Sequence, residues 1–290
     1  MKILNFGSLN IDYVYQVEEI AKAGETVKGR EKNVYCGGKG LNQSIALANA
    51  GAQVWHAGVI GMDGQILLDK LEKHGVNTEY VKTVQGNSSH TIIQVNPSGE
   101  NCIIFYSDEN LEVDEEYMRK ILENFEAGDY LLVQNEFNHT DVMMRMAKEQ
   151  GLKVAFNPSP FTSAVLDYPL ECVDIFLVNE IEGQQFTGME NPQYALDQMH
   201  ERYPNAVIVL TMGKEGACCM AGDRIIMQEA QEVDTIDTTA AGDTFTGFFL
   251  AEYMRSGILE TSLSLAARAA ALAVTLPGAA DSIPMLEEME

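Results

Sequence analysis

Short, almost unbroken apolar runs alternate with amphipathic stretches along most of this chain, and that alternation restricts the fold more than any other feature. "KILNFG" (2–7), "QVWHAGVI" (53–60), "DYLLVQ" (129–134), "LKVAFN" (152–157), "DIFLVN" (174–179) and "AVIVLTM" (206–212) each run into a polar or Gly/Pro-marked turn. Such runs suit parallel strands covered on both faces. Between them, "LNQSIALANAG" (41–51), "QILLDKLEKHG" (65–75), "DEEYMRKILENF" (114–125) and "TDVMMRMAKEQG" (140–151) have helical spacing. Three of these four end in glycine, a common helix C-terminus. The expected class is α/β, with a mostly parallel sheet flanked by helices.

Two stretches break the rhythm. Residues 12–36 and 90–106 look like antiparallel strands, the second with "NPSGEN" between two β-branched runs as a hairpin signature. A small β-sheet projecting from the main one, as a lid or an interface, accounts for both. With no internal repeat and no low-complexity linker, residues 1–290 read as a single domain carrying that lid.

Charge narrows the partners. The 19 Lys plus Arg against 43 Asp plus Glu leave a formal charge of −24, which repels nucleic-acid backbones and makes nucleic acid an unlikely partner class. An anionic substrate would need local compensation from helix ends, backbone amides or metal ions. Five scattered cysteines, Cys36, Cys102, Cys172, Cys218 and Cys219, form no zinc or thioredoxin-type spacing and suit a reduced cytoplasmic chain. No apolar run approaches the ~20 residues of a membrane span.

Three stretches carry candidate chemistry. In "DTTAAGDTFTGF" (237–248), the small residues Ala240, Ala241 and Gly242 open a helix, where unpaired N–H groups and the helix dipole make an anion nest. Asp243 in the first turn would then stand beside a phosphate site, placed to accept a proton from an attacking hydroxyl, unless it merely caps the helix. "CGGKGLNQS" (36–44) is a second glycine-rich turn that opens a helix and is neither a Walker loop nor a dinucleotide fingerprint. Gly38 there allows close backbone approach and Asn42 offers both donor and acceptor; a plain tight turn is the other reading. "GSLNID" places Asn10 and Asp12 at the end of the first strand, the edge where open α/β sheets bind ligands.

In order along the chain, "GSLNID", "CGGKGLNQS", "NPSP", "VNEIEG", "TMGKEG", "DTTAAGDTFTG" and "AVTLPGAADSIP" resemble the successive motifs of the ribokinase-type (phosphofructokinase-B) carbohydrate kinases, from residue 3 to about residue 285. The resemblance implies a doubly wound α/β fold with a β-lid that often forms a dimer interface. It also implies transfer of the ATP γ-phosphate to a sugar's primary alcohol, with a pentose such as D-ribose the leading acceptor. By resemblance, Asp243 is the base and the amides of Ala240, Ala241 and Gly242 are the anion hole, while Asn10, Asp12, Gly38, Lys39, Asn42 and Glu136 face the sugar. Asn179 and Glu182 would organise Mg²⁺, and Thr211 and Gly213, with Asn179 and Gly242, would touch the nucleotide. Asp237, Thr239, Ala273, Leu276, Gly278 and Ser282 would hold a potassium ion. Taken from the residues alone, a helix-capping pair is the lesser alternative for Asn179 and Glu182. The chain departs from the pattern at Asp108 and Glu109, where family members carry small residues, at Arg268 in place of an asparagine, and at Pro277 in place of a basic residue.

Overall fold

The six apolar runs become strands of one large sheet in the computed structural model, which describes residues 1–108 and 111–289. Its nine strands are β1 (Lys2–Phe6), β4 (Gln53–Ile60), β5 (Asn77–Thr83), β8 (Tyr130–Gln134), β9 (Lys153–Asn157), β10 (Val173–Asn179), β11 (Val207–Thr211), β12 (Ala217–Ala221) and β13 (Arg224–Gln228). They lie in the order β13-β12-β11-β10-β9-β8-β1-β4-β5. Pairing is parallel from β5 across to β11 and antiparallel at β11–β12–β13, so the sheet is mostly parallel as the alternation implies.

Both faces are covered. α1 (Lys39–Asn49), α2 (Gln65–Lys73), α7 (Ala241–Ser256) and α8 (Leu259–Ala273) pack on one side. α3 (Glu115–Leu122), α4 (Thr140–Gln150), α5 (Glu180–Thr187) and α6 (Pro192–Arg202) pack on the other. Successive strand residues therefore serve opposite cores: Ile3 joins the first cluster and Leu4 the second, both without exposed surface. Each such side chain contributes about 1.5–3 kcal/mol of burial, and a run that must satisfy two cores has no position for solvent-facing residues. No helix among the described residues is long and apolar enough to cross a membrane.

The interrupting stretches form a second sheet of four strands, β2 (Asn10–Gln16), β3 (Glu31–Gly37), β6 (Ser89–Val95) and β7 (Asn101–Tyr106), in the order β3-β2-β6-β7. β2–β3 and β6–β7 are antiparallel, as their spacing suggests, but the two pairs meet through a parallel β2–β6 pairing. A second correction concerns "GSLNID": β1 stops at Phe6, and Asn10 and Asp12 lie on the first lid strand, not at the end of the core strand. The small sheet thus starts four residues after the core strand, which places the base of the lid beside the carboxyl edge of the main sheet. The chain leaves β1 toward β4 and β5 on one side and returns to β8 on the other, so β1/β8 is the switch point where such sheets open a crevice.

Candidate functional site

The carboxyl ends of β1, β8, β9, β10 and β11 and the amino ends of α1 and α7 converge on two cavities. One, of about 230 Å³, is bordered by Lys39, Asn179, Glu182, Thr211, Gly242 and Asp243 among others. The other, of about 330 Å³, lies under the lid and is bordered by Asn10, Phe105, Asp108, Glu112 and Glu136 among others. Glu136 links them, accepting hydrogen bonds from the Ser8 hydroxyl and from the Lys39 backbone N–H.

Asp243 sits in the first turn of α7 with only 9 % of its surface exposed. Its Oδ2 accepts from Asn42 Nδ2 at 3.0 Å and its Oδ1 from Gln43 Nε2 at 2.9 Å. Each carboxylate oxygen retains a further lone pair. The turn before it is held open by Ala240 at φ 60°, the left-handed region that non-glycine residues seldom occupy. The first bond of the helix ladder is Thr244 N–H to the Ala240 carbonyl. The Ala241 N–H is turned to the Thr238 carbonyl, whereas the N–H groups of Gly242 and Asp243 lack a helical acceptor. Nothing lies within 4 Å of where a Gly242 side chain would begin. Thr244 and Thr246, next along the helix, are buried.

α1 begins with the same device. Gly38 at φ 98° turns the chain into the helix, and a side chain there would start 2.8 Å from the Ser8 carbonyl oxygen, so glycine alone fits. Lys39 then projects into the first cavity. Burial works against its charge, but Asp243, Glu136 and Glu182 around it outweigh burial and hold the ammonium pKa above its usual value. Burial pushes the carboxyls of Glu136 and Glu182 up despite Lys39. One lysine therefore shares three acids at the meeting point of the cavities.

Three buried amide oxygens in and behind this region lack a partner among the described residues: Asn10 Oδ1, in a residue on the lid cavity, Asn42 Oδ1, in a residue that borders neither cavity but donates to Asp243, and Gln134 Oε1 further in, all in side chains more than nine-tenths buried. A buried acceptor left unpaired is costly, and a hydroxyl-bearing ligand supplies what it lacks.

Asn179 and Glu182 do form a capping box at the start of α5, Asn179 Oδ1 accepting from Glu182 N–H at 2.8 Å and Glu182 Oε2 from Asn179 N–H at 3.0 Å. The same two side chains border the first cavity, so capping fixes them there and does not replace a ligand role. Thr211 closes β11 on the cavity wall, while Gly213 lies one turn further out and does not border it. Asp12 borders neither cavity; its Oδ1 accepts from Thr91 on the neighbouring lid strand at 2.5 Å. Asp237 ties two loops together, Oδ1 accepting from Thr239 and Oδ2 from Gly278 N–H at 3.0 Å. Burial opposes its charge, but those hydrogen bonds prevail and hold its carboxyl below the usual range. A cation among Asp237, Thr239, Ala273, Leu276, Gly278 and Ser282 would be met by main-chain carbonyls and by the lone pair that Asp237 Oδ2 retains beside its one hydrogen bond. Glu109 lies outside the described residues, and the exposed Arg268 donates to the Met289 carbonyl at the chain's end.

Gln43 is the residue sequence reasoning missed. It stands next to Asn42, is fully buried and touches Asp243 directly. The signal was a fully polar "NQS" entering a helix whose remaining length, "IALANA", is nearly apolar.

An anion-accepting helix start and a hydroxyl-seeking cavity, joined by an acid and roofed by a small sheet at the switch point of a parallel one, define a phosphotransferase acting on an alcohol. The model of the pfkB family of carbohydrate kinases matches residues 1–286, and the chain belongs to that family. It is 32% identical to the ribokinase of Haemophilus influenzae over 97% of this chain and 95% of that one. It is 31% identical to the deoxyribokinase of Salmonella typhimurium over 99% and 97%. A ribokinase from Cryptococcus neoformans var. grubii, solved in complex with ADP, superposes with a TM-score of 0.89 at 29% identity, covering 99% and 98% of the two chains. The Arabidopsis thaliana ribokinase complexed with ribose and ATP gives 0.86 at 25% identity, covering 99% and 97%. The chain is a sugar kinase.

Proposed function

We propose that this kinase phosphorylates the primary hydroxyl of a free pentose, D-ribose first, with ATP as donor and Asp243 as the base. The observation that carries the reading is the Asp243 carboxylate, held by two amide donors at the amino end of α7 and bordering the first cavity. Asp243 takes the proton of the attacking hydroxyl, while the Gly242 and Asp243 N–H groups and the helix dipole receive the charge developing on the transferred phosphoryl. Ala240 sets that turn, and Ala241 continues it. Lys39 adds positive charge between the acids, and Asn10 and Asn42 offer their unpaired oxygens to sugar hydroxyls. Asp12 reaches the sugar only by exchanging its Thr91 contact.

Mg²⁺, when bound, neutralises phosphate oxygens and aligns them for in-line transfer. Asn179 and Glu182 suit a hydrated Mg²⁺, since a buried carboxylate and an amide face the cavity together. Thr211 and, further out, Gly213 flank the nucleotide. K⁺ would sit among the carbonyls of the 237–239 and 276–282 loops, which Asp237 fastens together. The five free thiols fit a reducing cytoplasm.

The acceptor is tested by ADP release across D-ribose, 2-deoxy-D-ribose, hexoses, nucleosides and a keto-deoxy sugar acid, with and without K⁺. Ribose should give the highest kcat/KM, and K⁺ should raise it. Deoxyribose is the serious competitor, because the named ribokinase and deoxyribokinase relatives are almost equally similar. The sugar acid should fail, since Asp108, Glu112 and Glu136 border the lid cavity and no basic side chain does so among the described residues. A nucleoside or acid turned over better than every pentose would overturn the assignment.

The lid also carries the oligomer proposal. Ile92, Ile103, Ile104, Phe105 and Tyr106 are all more than a third exposed, on both faces of the small sheet. A sheet face of that character needs a cover, and a second copy of the lid supplies one. Sedimentation should give a homodimer and Ile104→Glu a monomer; a monomeric wild type at micromolar concentration would refute it.

A further inference from the structure

Behind Asp243 runs a chain of buried side chains that borders neither cavity. Gln43 Nε2 donates to Asp243 Oδ1 at 2.9 Å and to Asn157 Oδ1 at 3.0 Å, Asn157 itself donating to the Leu177 carbonyl, and Gln134 Nε2 donates to Gln43 Oε1 at 2.7 Å. The same Gln134 nitrogen donates to Asn5 Oδ1 at 2.9 Å, and Asn5 Nδ2 donates to the Gly40 carbonyl at 2.8 Å and to Ser44 Oγ at 2.9 Å. Ser44 Oγ lies 2.8 Å from His56 Nδ1, and His56 Nε2 lies 3.3 Å from the Gly7 carbonyl. Asn5, Gln43, Ser44 and His56 expose no surface, and Gln134 exposes 1 %.

The direction of every bond in this chain is fixed from its far end. A main-chain carbonyl can only accept. Gly7 therefore requires the proton on His56 Nε2, which leaves Nδ1 to accept from the Ser44 hydroxyl, and Ser44 Oγ to accept from Asn5. Burial depresses the His56 pKa to about 4, consistent with a single ring proton. Gly40 makes the same demand on Asn5 independently. Both anchors turn Asn5 Oδ1 toward Gln134, so Gln134 must present its nitrogen. Gln43 must then receive with its oxygen and point its nitrogen at Asp243. Were the Gln43 amide reversed, its oxygen would face the carboxylate and repel it.

We propose that Gln43 and Gln134 are positioning residues for the phosphoryl transfer: the polarity imposed by the Gly7 and Gly40 carbonyls is relayed through Asn5 and Gln134 so that Gln43 holds the Asp243 carboxylate toward the acceptor hydroxyl. The inference rests on Asp243 being the base and adds what keeps it aimed.

Gln134→Met separates the two ideas, since it keeps the volume, touches neither substrate and deletes the relay from Asn5, leaving Asn157 as the other side chain that orients Gln43. Misaiming a reacting group costs orders of magnitude, so kcat should fall about 10- to 100-fold while KM for sugar and for ATP stays within about threefold. If Gln134→Met does not fold, Gln43→Asn serves, because an amide one methylene shorter cannot reach both Gln134 and Asp243; the same split is expected. Folded variants that keep kcat within about twofold of wild type, or that lose it in step with rising KM, overturn the relay. Asp243→Asn is run beside them. Full turnover in that variant overturns the base assignment and the relay with it, whereas loss there with unchanged Gln134→Met and Gln43→Asn overturns the relay alone.

Discussion

Asp243→Asn should lower kcat by about 10³-fold, some 4 kcal/mol of transition-state stabilisation, while calorimetric affinity for the sugar changes little. The substitution is isosteric. It replaces an oxygen that accepts from Asn42 or Gln43 with a nitrogen that cannot accept, so one of two buried hydrogen bonds at 2.9–3.0 Å is lost. That loss affects stability by about 1–2 kcal/mol, far less than the kinetic effect. The two readouts thus diverge. A merely structural capping role for Asp243 predicts the opposite pattern, with a lowered Tm and near-normal turnover in the protein that remains folded. The decisive measurements are kcat at saturating sugar and ATP, sugar affinity without turnover, and Tm. A loss of kcat below tenfold would remove Asp243 from the role of base.

Much of this architecture was legible because local pattern and global fold agree. The core strands are apolar at most positions since both sheet faces are covered, and their bounds fall within a residue or two of the apolar runs. The helix starts at Gly38 and Ala240 were visible as clusters of small residues, ahead of an amphipathic stretch in the first case and a mostly apolar one in the second. What stayed hidden depends on partners distant in sequence. Nothing in "KILNFG" distinguishes Asn5 from a solvent-facing polar residue; its buried status follows from Gly40, Ser44 and Gln134, 35, 39 and 129 residues away. His56 lay unremarked in an apolar run for the same reason. The lid shows the limit of periodicity. Alternation identifies a strand and a short turn identifies its hairpin, but neither says that β2 and β6 lie parallel, because side-chain period is the same for both directions. Asn179 and Glu182 show a different limit: "NEIE" fits both a helix cap and a ligand pair, and the fold uses the cap to place both side chains on the cavity wall.

The second large effect should come from Gly247→Val, at a residue that borders neither cavity. Glycine inside a helix is itself destabilising by about 1 kcal/mol relative to alanine, so its place in α7 calls for a packing reason. A side chain at this position would start 2.4 Å from Ala46 Cβ, 2.7 Å from the Leu47 backbone nitrogen and 2.8 Å from the Ala46 carbonyl carbon. Two of those three atoms are main chain in α1 and cannot be repacked by a rotamer change. The helices must separate, at a cost of about 3 kcal/mol, which for a chain of this size lowers Tm by about 5 °C. Activity should fall as well, for a geometric reason. Asn42 and Gln43 lie one turn before Ala46 on α1, and Asp243 lies one turn before Gly247 on α7, so this crossing sets the two hydrogen bonds that hold the carboxylate. Separating the helices lengthens both bonds together. Gly247→Val should therefore combine a lower Tm with a reduced kcat in the folded fraction, unlike Asp243→Asn, which is expected to lower kcat far more than stability. A Gly247→Val protein with Tm within about 1 °C of wild type would mean that α1 and α7 do not meet at Gly247, and that the site is assembled by some other contact.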